Sequence, residues 1–191
     1  SVSHDLRTPL AVITGSASTL LESGSALEAA VRRDLLQTIR VEAERLNRLV
    51  QNLLEMTRLE AGVEVRKEWH SIEEVVGAAL SRLELILGDR PVHTEIAKDL
   101  PLAPMDDVLV EQVLINLLEN AAKYTPAGST IDVRAWAEDD RVMVEVADRG
   151  PGLSAGDESR IFEKFYRGAG PDSRGAGLGL AICRAIVEAH D

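Results

Sequence analysis

The chain has one cysteine, Cys183, in 191 residues. No disulfide can close within it, and a reducing compartment suits it. Aromatic residues make up only 3%, so any core must be built from aliphatic side chains. Basic residues are outnumbered: 21 Lys and Arg against 32 Asp and Glu leave a net charge of −11. That balance argues against nucleic acid or an anionic membrane surface as the main partner, and a polyanionic ligand would need a local positive site. No apolar run approaches the roughly 20 residues of a membrane-spanning helix, and no signal peptide is visible. The chain opens inside one helical pattern and stops inside another, as a piece of a longer protein would.

What is present begins with Ser3-His4-Asp5-Leu6-Arg7-Thr8-Pro9. In a helix, His4 and Thr8 are four residues apart and share a face. Pro9 has no N–H for the carbonyl of Asp5 and crowds it, so a kink beside the histidine is expected. Neutral imidazole is a nucleophile, and a neighbouring carboxylate can hold one ring nitrogen protonated while the other attacks. Taken alone, such a histidine is more often a plain surface residue.

Apolar residues at Val2, Leu6, Leu10, Ile13, Ala17 and Leu20 make a helical stripe that Ser23-Gly24-Ser25 ends. A longer stripe follows at Leu35, Ile39, Leu46, Leu49, Leu53 and Met56, closing on Ala61-Gly62 as a glycine cap. Two helices on a short connection form an antiparallel hairpin. A hairpin alone cannot bury so wide a stripe, whereas two copies paired as a four-helix bundle can. A dimer is therefore expected.

After Gly62 the texture changes. Val63 to Arg66 alternates like a strand. Ser71-Ile72-Glu73-Glu74 has the capping-box form and predicts a helix to about Leu85. Val92 to Ile96 reads as a strand, and Pro101 and Pro104 bracket a short extended piece. Asp106 or Asp107 caps a helix from Val108 to Tyr124. Thr130–Trp136 and Arg141–Ala147 are two alternating strands, and Leu178 to His190 is a last helix. Mixed helices and strands with an antiparallel pair predict an α/β sandwich, helices on one face of a mixed sheet.

Four stretches carry chemistry. On the helix through Tyr124, Asn116, Asn120, Lys123 and Tyr124 step along a face of their own. An amide oxygen suits Mg²⁺, a lysine meets phosphate as a point charge, and a terminal aromatic offers a face to a base. A merely solvated polar face is the plain alternative. Asp148-Arg149-Gly150-Pro151-Gly152 follows a strand. A carboxylate there can accept from an exocyclic amine, and the glycines allow close backbone approach; an ordinary turn is the alternative. Gly175-Ala176-Gly177-Leu178-Gly179 enters a helix, where backbone N–H groups bind phosphate. It is neither a dinucleotide fingerprint nor a Walker loop. Ile161 to Arg167 lies between the glycine stretches and holds both phenylalanines of the chain, Phe162 and Phe165, an anchor at the root of a loop.

In this order, these stretches resemble the sensor histidine kinases of two-component systems. Ser3–Pro9 looks like their H box, Asn116–Tyr124 the N box, Asp148–Gly152 the G1 box, Phe162–Phe165 the F box and Gly175–Gly179 the G2 box. A narrower resemblance, to the KdpD-type kinases of potassium transport, rests on Lys67-Glu68-Trp69, Glu73 to Gly77, Val113 to Asn120 and Gly177 to Val187.

The resemblance implies an α+β chain. Residues 1–62 would be the dimerisation and phosphoacceptor hairpin, and 63–191 a Bergerat-type ATP-binding α/β sandwich that stops before its final strands. His4 would attack the γ-phosphate of ATP, with Asp5 orienting its ring. Asn120 and Asn116 would hold Mg²⁺, Lys123 would touch phosphate and Tyr124 would lie against the nucleotide. Asp148 would read the adenine amine, with Gly150 and Gly152 shaping its turn. Phe165 and Arg167 would flank the nucleotide, and Gly175, Gly177, Leu178 and Gly179 would supply phosphate-binding backbone. Arg160, Lys164 and Arg167 would balance charge. Thr8 would orient a water for dephosphorylating the partner. The partners implied are a second copy of the chain and the receiver domain of a response regulator; nucleic acid and membrane contact are not expected. The piece would lie on the cytoplasmic side of an inner-membrane sensor. The segment from Ala61 to Arg66 would be the hinge that lets the two domains swing together.

Two rival functions remain. A hydrolytic ATPase of the gyrase or chaperone type places a glutamate four residues before the magnesium asparagine, but Asn116 stands there. Glu119 points about 100° away from Asn120 around the helix. A dimeric scaffold that binds nucleotide without transferring phosphate is the other; stable phosphorylation of His4 would exclude it.

Overall fold

A computed structural model describes residues 2–23, 27–60, 65–166 and 177–190. Helix α1 (Val2–Ser23) and helix α2 (Ala29–Glu60) pack along each other as the expected hairpin. α1 continues through Pro9 as one helix, and Pro9 is among the most deeply buried side chains. The expected cap at Ala61-Gly62 lies outside the described residues. The hairpin leaves large side chains in solvent on both helices, among them Leu10 (53% exposed), Leu36 (54%) and Leu54 (59%).

The expected strand at Val63–Arg66 is displaced. Residues 61–64 lie outside the described set and Val65 to Lys67 are not strand. Strand β1 is Glu68–His70 instead, because its partner sets its position: it pairs antiparallel with β3 (Ala103–Met105), Trp69 opposite Pro104. The predicted helix to Leu85 divides into α3 (Ile72–Arg82) and the short α4 (Glu84–Leu87), joined at Leu83. Ser71 stands at the N-cap of α3, but its side chain makes no capping bond.

Strand β2 (Val92–Ile96) runs parallel to β4 (Ile131–Glu138), which pairs antiparallel with β5 (Arg141–Ala147). The order β2-β4-β5 is the mixed sheet expected. Alternation assigns its faces. Ile131, Val133 and Ala135 on β4, with Val142, Val144 and Val146 on β5, turn toward α3 and helix α5 (Asp107–Tyr124). There they meet Ile72, Val75, Val76, Leu114, Ile115 and Leu118 in an aliphatic core. The opposite face is charged: Arg134 bridges Glu95 on β2 (3.1 Å) and Glu145 on β5 (2.9 Å), its register neighbours.

Asp106 caps α5 by accepting from the Leu109 N–H at 3.2 Å, as its position before the helix predicts. Helix α6 (Gly179–His190) lies on α5 in a second cluster of Val113, Leu178, Ile182, Cys183 and Ile186. Met56 of α2 completes that cluster, so the hairpin is keyed into the α/β part. Among the described residues no helix is long and apolar enough to cross a membrane.

Candidate functional site

α1 brings His4 and Thr8 one turn apart, and both are exposed. The Thr8 hydroxyl donates to the His4 carbonyl at 3.0 Å. This is the usual habit of a helical threonine, and it leaves the hydroxyl oxygen free to accept.

α5 separates the two asparagines by burial. Asn116 is only 7% exposed. Its Oδ1 accepts from Gln112 Nε2 at 3.4 Å, and its buried Nδ2 has no hydrogen-bond partner among the described residues. It faces α6, where a Cβ added at Gly179 would stand 3.9 Å from its Cγ and Oδ1, and Cys183 lies beside it. Burial pushes the Cys183 thiol up to about 12, with the neighbouring Asn116 amide a smaller opposing influence. Asn116 therefore sits deeper in α5 than Asn120, with its oxygen accepting from Gln112. Asn120, one turn on, is only partly buried.

At the end of the helix, Lys123 Nζ lies 2.8 Å from Tyr124 Oη and 4.4 Å from the ring centroid. The ammonium thus sits over an aromatic ring that is 48% exposed, a cation–π arrangement. Asp148 lies just past β5 and accepts from the Gly150 N–H at 2.7 Å. That turn lies on the end of α5. A Cβ at Gly150 would stand 2.8 Å from Asp148 Oδ1, 3.1 Å from the Tyr124 carbonyl and 3.4 Å from Thr125 Cγ2. Gly152, at φ +74°, needs glycine for its conformation. Arg149 turns away from the site and pairs with Asp132 of β4 at 2.7 Å. Asp132, 8% exposed, is also 3.7 Å from His93 on β2.

The F-box stretch and the second glycine stretch meet directly. The Phe165 N–H donates to the Gly177 carbonyl at 2.8 Å, and both residues have φ +65°. A Cβ at Gly177 would strike the Tyr166 carbonyl at 2.5 Å. Tyr166 is held by a hydrogen bond to Asp157 and by Arg160 over its ring at 4.4 Å. The Leu178 side chain is 3% exposed and belongs to the core, so the residue can offer a ligand only its backbone. Phe162 and Phe165 are partly exposed. Arg167 and Gly175 lie outside the described residues, as does the side chain of Asp5.

The structure thus draws Asn120, Lys123 and Tyr124 on α5, Asp148 and Gly150 on their turn, and Gly177 and Gly179 at α6 onto adjoining surfaces, through Gly150 on Tyr124 and Gly179 on Asn116. His4 comes from the hairpin. Among the described residues no group of three or more His, Cys, Asp or Glu could hold a metal. A hard cation here would take the Asn120 amide oxygen and complete its shell with phosphate oxygens and water, which suits Mg²⁺. Arg90, Thr125 and Asp132, which hold these pieces in place, carried no motif by which the sequence could mark them.

Comparison with known proteins bears on two regions. Residues 1–62 match the His Kinase A (phospho-acceptor) domain. Residues 105–191 match the family described as histidine kinase-, DNA gyrase B-, and HSP90-like ATPase. The chain is 41% identical to the sensor protein KdpD of Clostridium acetobutylicum and 45% identical to that of Escherichia coli, over its full length in each case. It spans 22% and 21% of those proteins, about a fifth of their length. Among solved structures, full-length ShkA in complex with AMPPNP superposes with a TM-score of 0.71 at 29% identity, over 98% of this chain and 39% of ShkA.

Proposed function

Because the chain belongs to the sensor histidine kinases of two-component systems, we propose that it transfers the γ-phosphoryl group of ATP to His4 and passes it on to an aspartate of a response regulator. The observation that carries this reading is the convergence of Asn120, Lys123 and Tyr124 with the Asp148–Gly150 turn at the end of α5. ShkA, whose structure holds AMPPNP, is similar over nearly the whole chain.

In this reading Asp148 accepts from the adenine amine while Gly150 brings the turn against α5. Tyr124 lies along the nucleotide and Lys123 contacts phosphate. Asn120 holds Mg²⁺, which would neutralise charge developing on the phosphoryl oxygens. The backbone at Gly177 and Gly179 meets phosphate at the start of α6. The side-chain oxygen of Asn116 is engaged by Gln112, so its part is to support Asn120 from behind. A ring nitrogen of His4 bonds to the γ-phosphorus as the bond to the bridging oxygen of the departing ADP breaks. Asp5 orients the imidazole and takes the proton from its other nitrogen. Thr8, with its hydroxyl hydrogen committed to the His4 carbonyl, still offers lone pairs to a water attacking the regulator's phosphoaspartate.

The exposed leucines of α1 and α2 support pairing of two hairpins into a four-helix bundle. Residues 1–62 are then the phosphoacceptor domain, and 63–191 the nucleotide domain. No glutamate precedes Asn120 by one turn to activate water, which favours transfer over hydrolysis.

Incubation with γ-labelled ATP and Mg²⁺ tests the reading. Label that is lost in acid, survives alkali and vanishes in His4→Gln supports it. Retained label in that variant, or binding of nucleotide without labelling, refutes the transfer.

A further inference from the structure

Arg90 lies between α4 and β2, outside every motif of the sequence. Its guanidinium nonetheless gathers the whole C-terminal end of α5. Nη1 donates to Thr125 Oγ1 at 2.5 Å, to the Pro126 carbonyl at 3.1 Å and to the Ser129 carbonyl at 3.2 Å. Nη2 donates to the Ala122 carbonyl at 3.1 Å and, more distantly, to that of Thr125 at 3.5 Å. The last carbonyls of a helix lack partners within it and carry its negative dipole end. A fixed cationic fork meets both needs at once.

Thr125 is the second link. It is 8% exposed, and its hydroxyl accepts from Arg90 while donating to the Ala121 carbonyl at 2.6 Å. Its methyl group lies 3.4 Å from where a Cβ of Gly150 would stand, and the Tyr124 carbonyl 3.1 Å from the same point. The Gly150 N–H in turn holds the Asp148 carboxylate. Arg90, Thr125, Gly150 and Asp148 therefore stand in succession, with no room for even a methyl group between Gly150 and the α5 end.

We propose that Arg90 is a positioning residue for the nucleotide: with Thr125 it fixes the distance between Asn120 and Lys123 near the α5 end, assigned to metal and phosphate, and the turn that carries Asp148. The proposal rests on the nucleotide reading above and adds to it the element that sets the site's span. A ligand reaching both halves feels that spacing. A ligand filling only the Asp148 side does not.

The consequence is a selective loss. Lysine at position 90 keeps the charge at the helix end but offers one nitrogen, which cannot serve acceptors on both sides of the fork. Arg90→Lys is expected to weaken Mg-ATP about tenfold, as a misplacement well below 1 Å would. Adenosine affinity should stay within about twofold, because adenosine lacks the phosphates that reach Asn120 and Lys123. Thr125→Val removes the hydroxyl from the same relay and should show the same selectivity; it carries the test if Arg90→Lys does not fold. Calorimetric titration of the full chain and each variant with Mg-ATP and with adenosine reads both numbers. Unchanged Mg-ATP affinity in a folded variant overturns the proposal. So does an equal loss for Mg-ATP and adenosine, which would make Arg90 a general support of the fold. If the parent chain binds no Mg-ATP, the nucleotide reading itself fails and the proposal falls with it.

Discussion

Gly150 is where a single added methyl group should report on the nucleotide site. Its φ lies outside the left-handed region, so alanine is conformationally acceptable and the effect is steric. The new Cβ would stand 2.8 Å from Asp148 Oδ1 and 3.1 Å from the Tyr124 carbonyl oxygen. The second contact is with backbone at the end of α5 and cannot swing aside. Either the Asp148 carboxylate moves by several tenths of an ångström, or the whole turn lifts off the helix. Both lengthen the Gly150 N–H to Asp148 bond, now 2.7 Å. Overpacking of this kind costs about 1–3 kcal/mol. Where that cost falls on the bound pose, affinity drops about tenfold for each 1.4 kcal/mol. Gly150→Ala should therefore weaken ATP by one to two orders of magnitude, about 10- to 100-fold, and reduce its advantage over GTP, because the displaced group is the one assigned to the adenine amine. Gly152→Ala is the control: nothing lies within 4 Å of its Cβ, but φ is +74°, so it should lower stability without changing the preference between bases. Calorimetric titration with ATP and GTP measures both. Wild-type affinity and base preference in folded Gly150→Ala would refute the placement of Asp148.

Cys183, with its thiol pushed up to about 12 by burial, should resist alkylation at pH 8 in the folded chain and react fully in denaturant. Because the folded value lies above the ordinary thiol value of 9.0, its contribution to stability is present below pH 9 and is lost as pH rises toward 12; Cys183→Ala should flatten that part of the unfolding profile. Glu55 of α2 is raised above 4.5, chiefly by burial, with Asp106 adding to the rise and Arg58 opposing it. Its stabilising contribution therefore belongs to acid pH and is lost as the carboxyl ionises, so Glu55→Gln should raise Tm at pH 7 and lose that advantage below pH 4.5. Thr8→Ala removes only an exposed side chain's bond to the His4 carbonyl, costing about 1 kcal/mol or less; it should keep autophosphorylation and lose dephosphorylation of the regulator, and undiminished dephosphorylation would return Thr8 to a structural role.

Periodicity made most of the architecture legible. The two hairpin helices, β2, β5, α5 and α6 follow from stripes and alternation that local sequence carries by itself. The failures came where a distant partner decides. Val63-Glu64-Val65-Arg66 alternates as well as any strand, but Pro104 and its neighbours pair with Glu68–His70 instead. The break at Leu83 separates residues that share one helical pattern, with the Leu83 N–H bonding to both Ala79 and Leu80. The same limit applies to the site. Asn120, Asp148 and the glycines stand in recognisable stretches, and the turn contacts explain why glycine occupies positions 150 and 177. Asn116 looks as available as Asn120 along the sequence, and only the packing of α6 makes it a buried residue. Arg90 is 35 residues from the hydroxyl it contacts, and no local pattern announces that pairing.

The central claim is that the phosphoryl group of ATP arrives on His4. The most direct test is mass spectrometric localisation of phosphate after incubating the chain with Mg-ATP, under alkaline conditions that preserve phosphohistidine. Phosphate is expected on His4 and on none of His70, His93 or His190. Phosphate on another residue, or an unmodified His4 in a chain that binds and hydrolyses ATP, would contradict it.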